Sequence, residues 1–183
     1  MLMQDNILLS PHFKLHEFTE SVKARDHGID NSPPPEAVEN LRRLCESCLE
    51  PLREALQLPV FITSGFRTKE LNSLLVHHSE RSQHMAGQAA DLYIGSGLKV
   101  LGRAKRQSRA HGEGLSRREL LIKAFRLIIT SEVIDYDQLI LYPTFIHVSY
   151  ASKERNRHNI LLGRQDGKLG YGKLSVQNAL KIQ

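Results

Sequence analysis

Residues 82–91 read Ser82-Gln83-His84-Met85-Ala86-Gly87-Gln88-Ala89-Ala90-Asp91, and they place two side chains that can bind a metal, His84 and Asp91, around a glycine-containing turn. A neutral imidazole and a carboxylate suit a zinc-type ion, which in catalytic sites takes three protein ligands and keeps its fourth position for water. Gly87 lets the backbone turn tightly, and the small Ala89 and Ala90 permit close packing behind the turn. The segment therefore predicts two ligands of a metal site.

A third candidate ligand is His147 in Phe145-Ile146-His147-Val148-Ser149, where one polar residue interrupts a strand-like apolar run. If Asp91 starts one central strand and His147 lies on another, the turn at Gly87 can fold His84 back towards both. The three side chains would then meet at one rim of the sheet. The alternative for His147 is a core histidine whose polar atoms are satisfied by its neighbours.

The rest of the chain alternates predicted helices with predicted strands. Apolar residues at three- and four-residue spacing indicate an amphipathic helix that Pro51 kinks without ending, and they are Val38, Leu41, Leu44, Cys45, Cys48, Leu49, Leu52 and Leu56. Thr68 is a predicted N-cap, and Ser116 begins a helix through a capping box. A buried strand is predicted at 59–64, and further strands are predicted at 92–94, 137–141, 145–150 and 159–163. The strands at 137–141 and 145–150 should form an antiparallel hairpin. The glycine-rich tail after residue 163 is predicted to be irregular. This order predicts one α+β domain, residues 1–183, with a largely antiparallel central sheet flanked by helices.

The charge balance favours an anionic partner. The chain has 183 residues, a formal net charge of +5 and a pI near 9.3. Nucleic acid, a phosphate-bearing polymer and a bacterial wall all fit this charge. The basic residues between Lys99 and Arg118 form either a solvated loop or an anion-binding patch, for example for a wall polymer. A nucleic-acid role is disfavoured because aromatic residues for base stacking are not interleaved with these charges.

The N-terminus and the cysteines bear on the compartment. Residues 1–9 lack a basic start and contain Asp5 and Asn6 where a signal peptide would be apolar, so we expect synthesis in a cytoplasm. No apolar run approaches the roughly 20 residues that span a bilayer. Cys45 and Cys48 fall within the amphipathic helix pattern, which favours two reduced, packed thiols over a redox motif.

Several of these motifs together resemble a known family. The pattern Ser82-x-His84-x-x-Gly87-x-Ala89-x-Asp91, followed by Ile146-His147-Val148-Ser149, resembles the zinc-binding signature of the D-alanyl-D-alanine carboxypeptidase and L-alanyl-D-glutamate endopeptidase family of metallopeptidases. Ser64-Gly65-Phe66-Arg67-Thr68 is similar to the Ser-Gly-Tyr-Arg segment of its zinc carboxypeptidase-like branch. The segments Leu9-Ser10-x-x-Phe13-x-Leu15-x-Glu17-Phe18 and Leu49-x-Pro51-Leu52-Arg53 look like the same branch. The similarity is collinear over roughly residues 8 to 160.

The resemblance implies a hedgehog/DD-peptidase-like fold and a zinc hydrolase that acts on peptidoglycan stem peptides. His84, Asp91 and His147 would be the Zn²⁺ ligands. Arg67 would pair with a substrate carboxylate or stabilise the developing oxyanion through its fixed donor fork; the alternative is a structural arginine that bridges a loop. Ser82 would orient substrate or a ligand, or else simply cap the loop.

The chain departs from this family at the general base. Family members active on wall peptides usually carry a Glu or Asp shortly before the last histidine, whereas this chain has no acid from Gln138 to Lys153, and Tyr142 and Thr144 stand at the corresponding positions. Loss of a proton acceptor typically costs about 10² to 10⁴ in rate. Candidate substitutes are Asp137, Tyr142 as a hydrogen-bond donor to an oxyanion, and the loop residues His77, His78 and Glu80.

Three functions fit these observations. The first is a zinc peptidase that cleaves peptidoglycan stems or cross-links, as a phage or prophage endolysin that waits in the host cytoplasm and meets the wall on lysis. The second is a bacterial peptidase that recycles wall fragments. The third is a metal-bearing, wall-binding module on the same fold that has lost catalysis, which the missing acid allows.

Overall fold

The computed structural model describes residues 7–76, 78–95, 115–164 and 170–183. It has an α+β architecture, as predicted, with a mixed six-stranded sheet and a small two-stranded sheet flanked by helices. In chain order the elements are β1 Leu8–Ser10, β2 Phe13–Lys14, α1 Leu15–Thr19, α2 Val22–Asp26, α3 Pro35–Leu44, a π-helical turn Cys45–Leu49, α4 Glu50–Leu56, β3 Val60–Ser64, α5 Lys69–Ser73, a 3-10 turn Gln83–Ala86, β4 Ala89–Ile94, α6 Arg117–Thr130, β5 Gln138–Leu141, β6 Ile146–Ser149, β7 Asn159–Gly163, β8 Tyr171–Lys173 and α7 Val176–Ala179.

The large sheet has the strand order β3-β4-β6-β5-β7-β8, and every neighbouring pair is antiparallel except β5 and β7. The predicted hairpin of β5 and β6 is confirmed. The prediction that Asp91 starts its strand was wrong, since β4 begins at Ala89 and its residues 89–92 pair with β6. The predicted strand at 59–64 is confirmed as β3, but its predicted burial was wrong. β3 is an edge strand whose residues after Val60 are partly or fully exposed.

The two faces of the sheet differ in chemistry because side chains alternate along each strand. One face carries apolar residues that pack against the helices to form the core, namely Ala90, Leu92, Val148, Ile146, Leu139 and Leu141. The helices contribute Leu52 from α4 and Leu121 and Phe125 from α6. Asp91 and His147 are directly paired and occupy the other face. His147 is therefore not a core histidine.

The long amphipathic pattern forms one nearly continuous helical segment, with a π-helical turn between α3 and α4. The Glu50 backbone N–H donates to the Cys45 carbonyl, five residues back. Pro51 has no N–H and its ring would collide with the carbonyl four residues earlier, on Ser47. That carbonyl accepts a hydrogen bond from the Asp135 backbone N–H at 3.0 Å instead. The predicted local distortion at Pro51 is confirmed, and it ties the helix to the segment before β5.

The ends of two other helices follow the predicted chemistry. Thr68 accepts a hydrogen bond from the Leu71 N–H and caps α5. Ser116 and Glu119 form the reciprocal capping box that begins α6. In the part of the predicted basic stretch that is described, the Arg117 guanidinium lies 5.0 Å from the centre of the Tyr93 ring. The remainder of that stretch, up to residue 114, lies outside the described residues.

The prediction of an irregular tail was wrong for Tyr171–Lys173, which form β8 and pair with the open edge of β7. The free N–H and C=O groups of an edge strand explain why a short glycine-containing segment can be recruited. α7 follows after Ser175, whose side chain accepts a hydrogen bond from the Asn178 N–H. Within the described ranges, no helix combines the length and apolarity that crossing a bilayer requires.

Candidate metal centre

His84, Asp91 and His147 meet at one point on the polar face of the sheet. His84 lies in the 3-10 turn before β4, whereas Asp91 on β4 and His147 on β6 are directly opposite in the strand register. One ligand atom from each side chain can be chosen so that the three lie within 4.8 Å of one another. The three side chains that the sequence singled out are therefore placed to hold a metal ion.

The contacts within this cluster are short. Asp91 Oδ1 lies 2.9 Å from His147 Nδ1 and 3.5 Å from His84 Nε2, and the two imidazole nitrogens are 3.2 Å apart. His84 Nδ1 lies 2.6 Å from the Gly65 carbonyl oxygen. A carbonyl can only accept, so Nδ1 of His84 donates and its Nε2 lone pair faces the cluster. A backbone carbonyl on the second ring nitrogen is the usual arrangement of a histidine that binds a metal.

The charge states of the cluster also suit a cation. Burial lowers the pKa of His84, although the neighbouring carboxylate of Asp91 acts in the opposite direction. Burial alone would raise the pKa of Asp91, but the two histidines outweigh it and hold the pKa well below its usual range. A neutral imidazole and an ionised carboxylate are the forms that coordinate metals. The donor set therefore fits the zinc-type ion predicted from the sequence.

Gly87 shapes the turn that delivers His84. Its φ is +69°, and a Cβ at this position would lie 2.3 Å from the carbonyl oxygen of Ala37 at the beginning of α3. The side chain of Asn40 donates to the Ala86 carbonyl at 2.9 Å. The turn is thus pressed against α3, and only glycine combines this backbone conformation with this proximity.

Arg67 lies against the cluster. Its Nε and Nη2 donate to Ser64 Oγ at 3.1 and 2.9 Å, and Nη2 donates to Asp91 Oδ2 at 3.0 Å. Its side chain is only 16% exposed. For Nη1 no hydrogen-bond partner is found among the described residues. Arg67 is therefore held rigidly and keeps donors for a further group.

Sequence reasoning missed the residue that aims Arg67. The side-chain amide of Asn31 donates to the Phe66 carbonyl at 3.1 Å, and its oxygen accepts from the Thr68 N–H at 2.9 Å. These two hydrogen bonds fix the backbone immediately before and after Arg67. In the sequence, Asn31 stands only as a polar residue shortly before three prolines and the first turn of a helix, a pattern that does not point to Arg67.

The cluster lies in a cleft of about 570 Å³ that Ser82 and Tyr142 also line. The Ser82 side chain makes no capping hydrogen bond to the 3-10 turn, so it does not act as a loop cap. Burial, with Asp91 as a second cause, raises the pKa of Tyr142. Tyr142 therefore stays protonated at neutral pH, so it can donate a hydrogen bond but is a poor base. Its ring packs over Gly163, where a Cβ would lie 2.3 Å from it.

Asp137 lines the same cleft, but each of its carboxylate oxygens already accepts two hydrogen bonds. Its Oδ1 accepts from Arg157 Nε and from the Arg157 backbone N–H, both at 2.8 Å, and its Oδ2 accepts from Gln83 Nε2 at 2.8 Å and from Arg157 Nη2. Burial alone would raise the pKa of Asp137, but the bonds from Arg157 and Gln83 outweigh it and lower the pKa. Such a carboxylate is a poor proton acceptor.

Of the other candidate substitutes for the missing acid, the two that the structure describes are not brought to the site. His78 and Glu80 are described but do not line the cleft, and His77 lies outside the described residues. Three further arginines of the cleft were not recognised from sequence, namely Arg81, Arg155 and Arg157. They come from loops, whose charges look like ordinary surface charges in a sequence.

A family model described as Peptidase M15 matches residues 11–123 of the chain. The matched stretch includes His84, Asp91 and Arg67, whereas His147 lies beyond it. No curated protein matches the chain.

Proposed function

Because the chain belongs to the peptidase M15 family, we propose that it is a zinc-dependent metallopeptidase that hydrolyses peptide bonds of peptidoglycan stem peptides or cross-links. The observation that carries the proposal is the convergence of His84, Asp91 and His147 within 4.8 Å in a cleft that Arg67 also lines. Two imidazoles and a carboxylate form a ligand set of the kind that catalytic zinc uses.

The proposal assigns a role to each group around the metal position. When bound, zinc acts as a Lewis acid that polarises the scissile carbonyl and makes water more acidic. Arg67, held by Ser64 and Asp91, directs its remaining donors at a substrate carboxylate or at the developing oxyanion. Tyr142 donates a hydrogen bond to the developing oxyanion, and Ser82, which lines the cleft, orients the peptide.

The cleft offers little to accept the proton of the attacking water. Its acidic lining residues, within the described ranges, are Asp91 and Asp137, and both accept hydrogen bonds from arginine. A rate roughly 10² to 10⁴ below that of a site with a free carboxylate is therefore expected. The Tyr142→Phe variant tests the donor role, with an expected loss of about tenfold in kcat, which corresponds to one hydrogen bond, and an unchanged zinc content.

The decisive experiment is mass spectrometry of purified peptidoglycan incubated with the zinc-loaded protein. The expected result is release of peptide fragments that a chelator abolishes and added zinc restores. The mass of each fragment also names the bond that is cut. The His147→Ala variant, which removes one proposed ligand, is the control and should release nothing.

A second candidate is a metal-bearing, wall-binding module without catalysis. It is favoured by the engagement of both carboxylates that line the described part of the cleft. Co-sedimentation with intact walls, with no fragment released by the wild-type protein, would support it over the peptidase.

A role in phage lysis, as opposed to wall recycling, is proposed from the basic charge and is tested by expression in a host with and without a holin.

A further inference from the structure

Arg157 is fixed in the cleft by a buried partner. Its Nε donates to Asp137 Oδ1 and its Nη2 to Asp137 Oδ2, so one edge of the guanidinium is bound by both oxygens of a single carboxylate. The side chain of Asp137 is 2% exposed, whereas that of Arg157 is 54% exposed. For Nη1 of Arg157, no bond is found in the described part of the chain. Nη2 also lies 3.4 Å from Gln83 Oε1. The arginine is thus anchored through Nε and Nη2 and keeps Nη1 as a donor for the cleft.

The surroundings of Arg157 are basic. Arg155 and Arg81 line the same cleft, and no salt bridge to either is found among the described residues. Arg155 Nε lies 3.4 Å from Ser152 Oγ. The described lining therefore contains four arginines, including Arg67, against two aspartates that are both already paired with arginine. This cleft carries positive charge in excess even before a metal adds to it.

Arg67 and Arg157 lie on opposite sides of the proposed metal position. Arg67 follows β3 and contacts Asp91 on β4, whereas Arg157 precedes β7 and contacts Asp137 just before β5. In the sheet order, β4 and β6, which carry Asp91 and His147, stand between β3 and the pair β5 and β7. Neighbouring strands are about 4.8 Å apart, so the two-strand step from β4 to β5, where the partners of the two arginines lie, spans roughly 10 Å, or about three residues of an extended peptide.

We propose that Arg157, held by Asp137 and assisted by Arg155 and Arg81, forms a second anion-binding subsite that binds a carboxylate of an acidic peptide. This inference rests on the proposed function, because it treats the metal position as the place of the scissile bond. The ligand is a peptide with two carboxylates, one bound by Arg67 and one bound by Arg157 on the other side of that bond. A guanidinium that is held along one edge binds a carboxylate with little loss of rotamer freedom.

The experiment compares two synthetic tripeptides by calorimetry on the zinc-loaded protein, Ac-Glu-D-Ala-D-Ala and Ac-Gln-D-Ala-D-Ala. Both are N-methylated at the last peptide bond to prevent hydrolysis, and they differ by one charge. The expected result is about tenfold tighter binding of the Glu peptide to the wild-type protein, with the preference reduced at high salt because exposed charges are screened. Arg157→Gln should abolish the preference and leave binding of the Gln peptide unchanged.

The matched control is Arg53→Gln, which removes the same charge from α4, outside this cleft. It should keep the tenfold preference. Equal binding of both peptides to the wild-type protein, no binding of either peptide, or an equal preference in Arg157→Gln would overturn the subsite. Failure of the proposed peptidase function is recognised separately, as absence of fragment release from walls by a protein that still discriminates between the two peptides.

Discussion

Asp91 and His147 face each other directly across the β4–β6 pair, with Asp91 Oδ1 2.9 Å from His147 Nδ1. Paired residues of neighbouring antiparallel strands lie on the same face of a sheet, with their Cβ atoms about 5 Å apart. The sheet register therefore brings two ligand types together across 56 residues of sequence. His84 is added to this pair by the turn at Gly87.

Removal of a predicted ligand should abolish metal binding without unfolding the chain. We expect near-stoichiometric zinc in wild-type protein purified without chelator and almost none in Asp91→Asn or His147→Ala. Loss of a residue that hydrogen-bonds a metal ligand already lowers the affinity for the metal by about 10- to 100-fold, so loss of a ligand itself should lower it further. Elemental analysis measures this, with circular dichroism as the check on folding. His12→Ala, at an exposed histidine paired with Glu50, should retain the metal.

Arg67→Lys should impair turnover while leaving the metal in place. Lysine keeps the charge but lacks the planar guanidinium. That group donates to both Ser64 and Asp91 and still has a donor for the substrate. We expect kcat/KM on wall peptides to fall by about 10²-fold, in the range found when an oxyanion donor is removed. Steady-state kinetics on zinc-loaded protein measures it. An unchanged kcat/KM would mean that Arg67 only bridges its loop.

Gly87→Ala should destabilise the fold and weaken the metal site. The variant must place a Cβ 2.3 Å from the Ala37 carbonyl at a φ of +69°. Backbone strain of about 1–2 kcal/mol adds to overpacking of about 1–3 kcal/mol. Urea unfolding measures the loss. Gly28→Ala is the matched control, because Gly28 has a φ of +66° with nothing within 4 Å of its Cβ position, so only the strain should appear.

Asp137→Asn should reduce stability in a pH-dependent way. The pKa of Asp137 is lowered in the folded state, so the carboxylate stabilises the fold fully above its unfolded pKa of about 3.9 and loses this contribution as pH falls through the lower folded pKa. At pH 7 we expect the free energy of unfolding to fall by about 1–3 kcal/mol. The difference between wild type and variant should shrink below about pH 4. Urea titrations from pH 7 to pH 3 test this, and a difference that does not change with pH would contradict it.

Cys45 and Cys48 should be inert in the native protein. Both are free and fully buried, and burial raises the pKa of each thiol far above its ordinary value. Since the thiolate is the reactive form, we expect no reaction with a thiol reagent under native conditions and two equivalents in denaturant. Absorbance after addition of Ellman's reagent measures both. Rapid labelling of the two thiols in the native protein would instead indicate a redox-active Cys-x-x-Cys motif.

Local patterns predicted most elements, because helix periodicity, capping residues and β-branched runs depend on neighbours in sequence. The amphipathic helix through Pro51, the caps at Thr68 and Ser116, and the β5–β6 hairpin are examples. The errors concern pairing partners. Whether β3 is central or at an edge, and whether Tyr171–Lys173 form a strand, depends on distant parts of the chain.

The sequence alone determined which side chains could bind a metal, since His84, Asp91 and His147 are recognisable by residue type and by their strand and turn context. Only the tertiary structure decided what the remaining polar residues do. It showed Asp137 saturated by Arg157 and Gln83, Asn31 gripping the backbone around Arg67, and arginines from separate loops lining one cleft. The physical reason is that ligand type is a property of a residue, whereas a free lone pair or an excess of charge depends on what the folded chain places beside it.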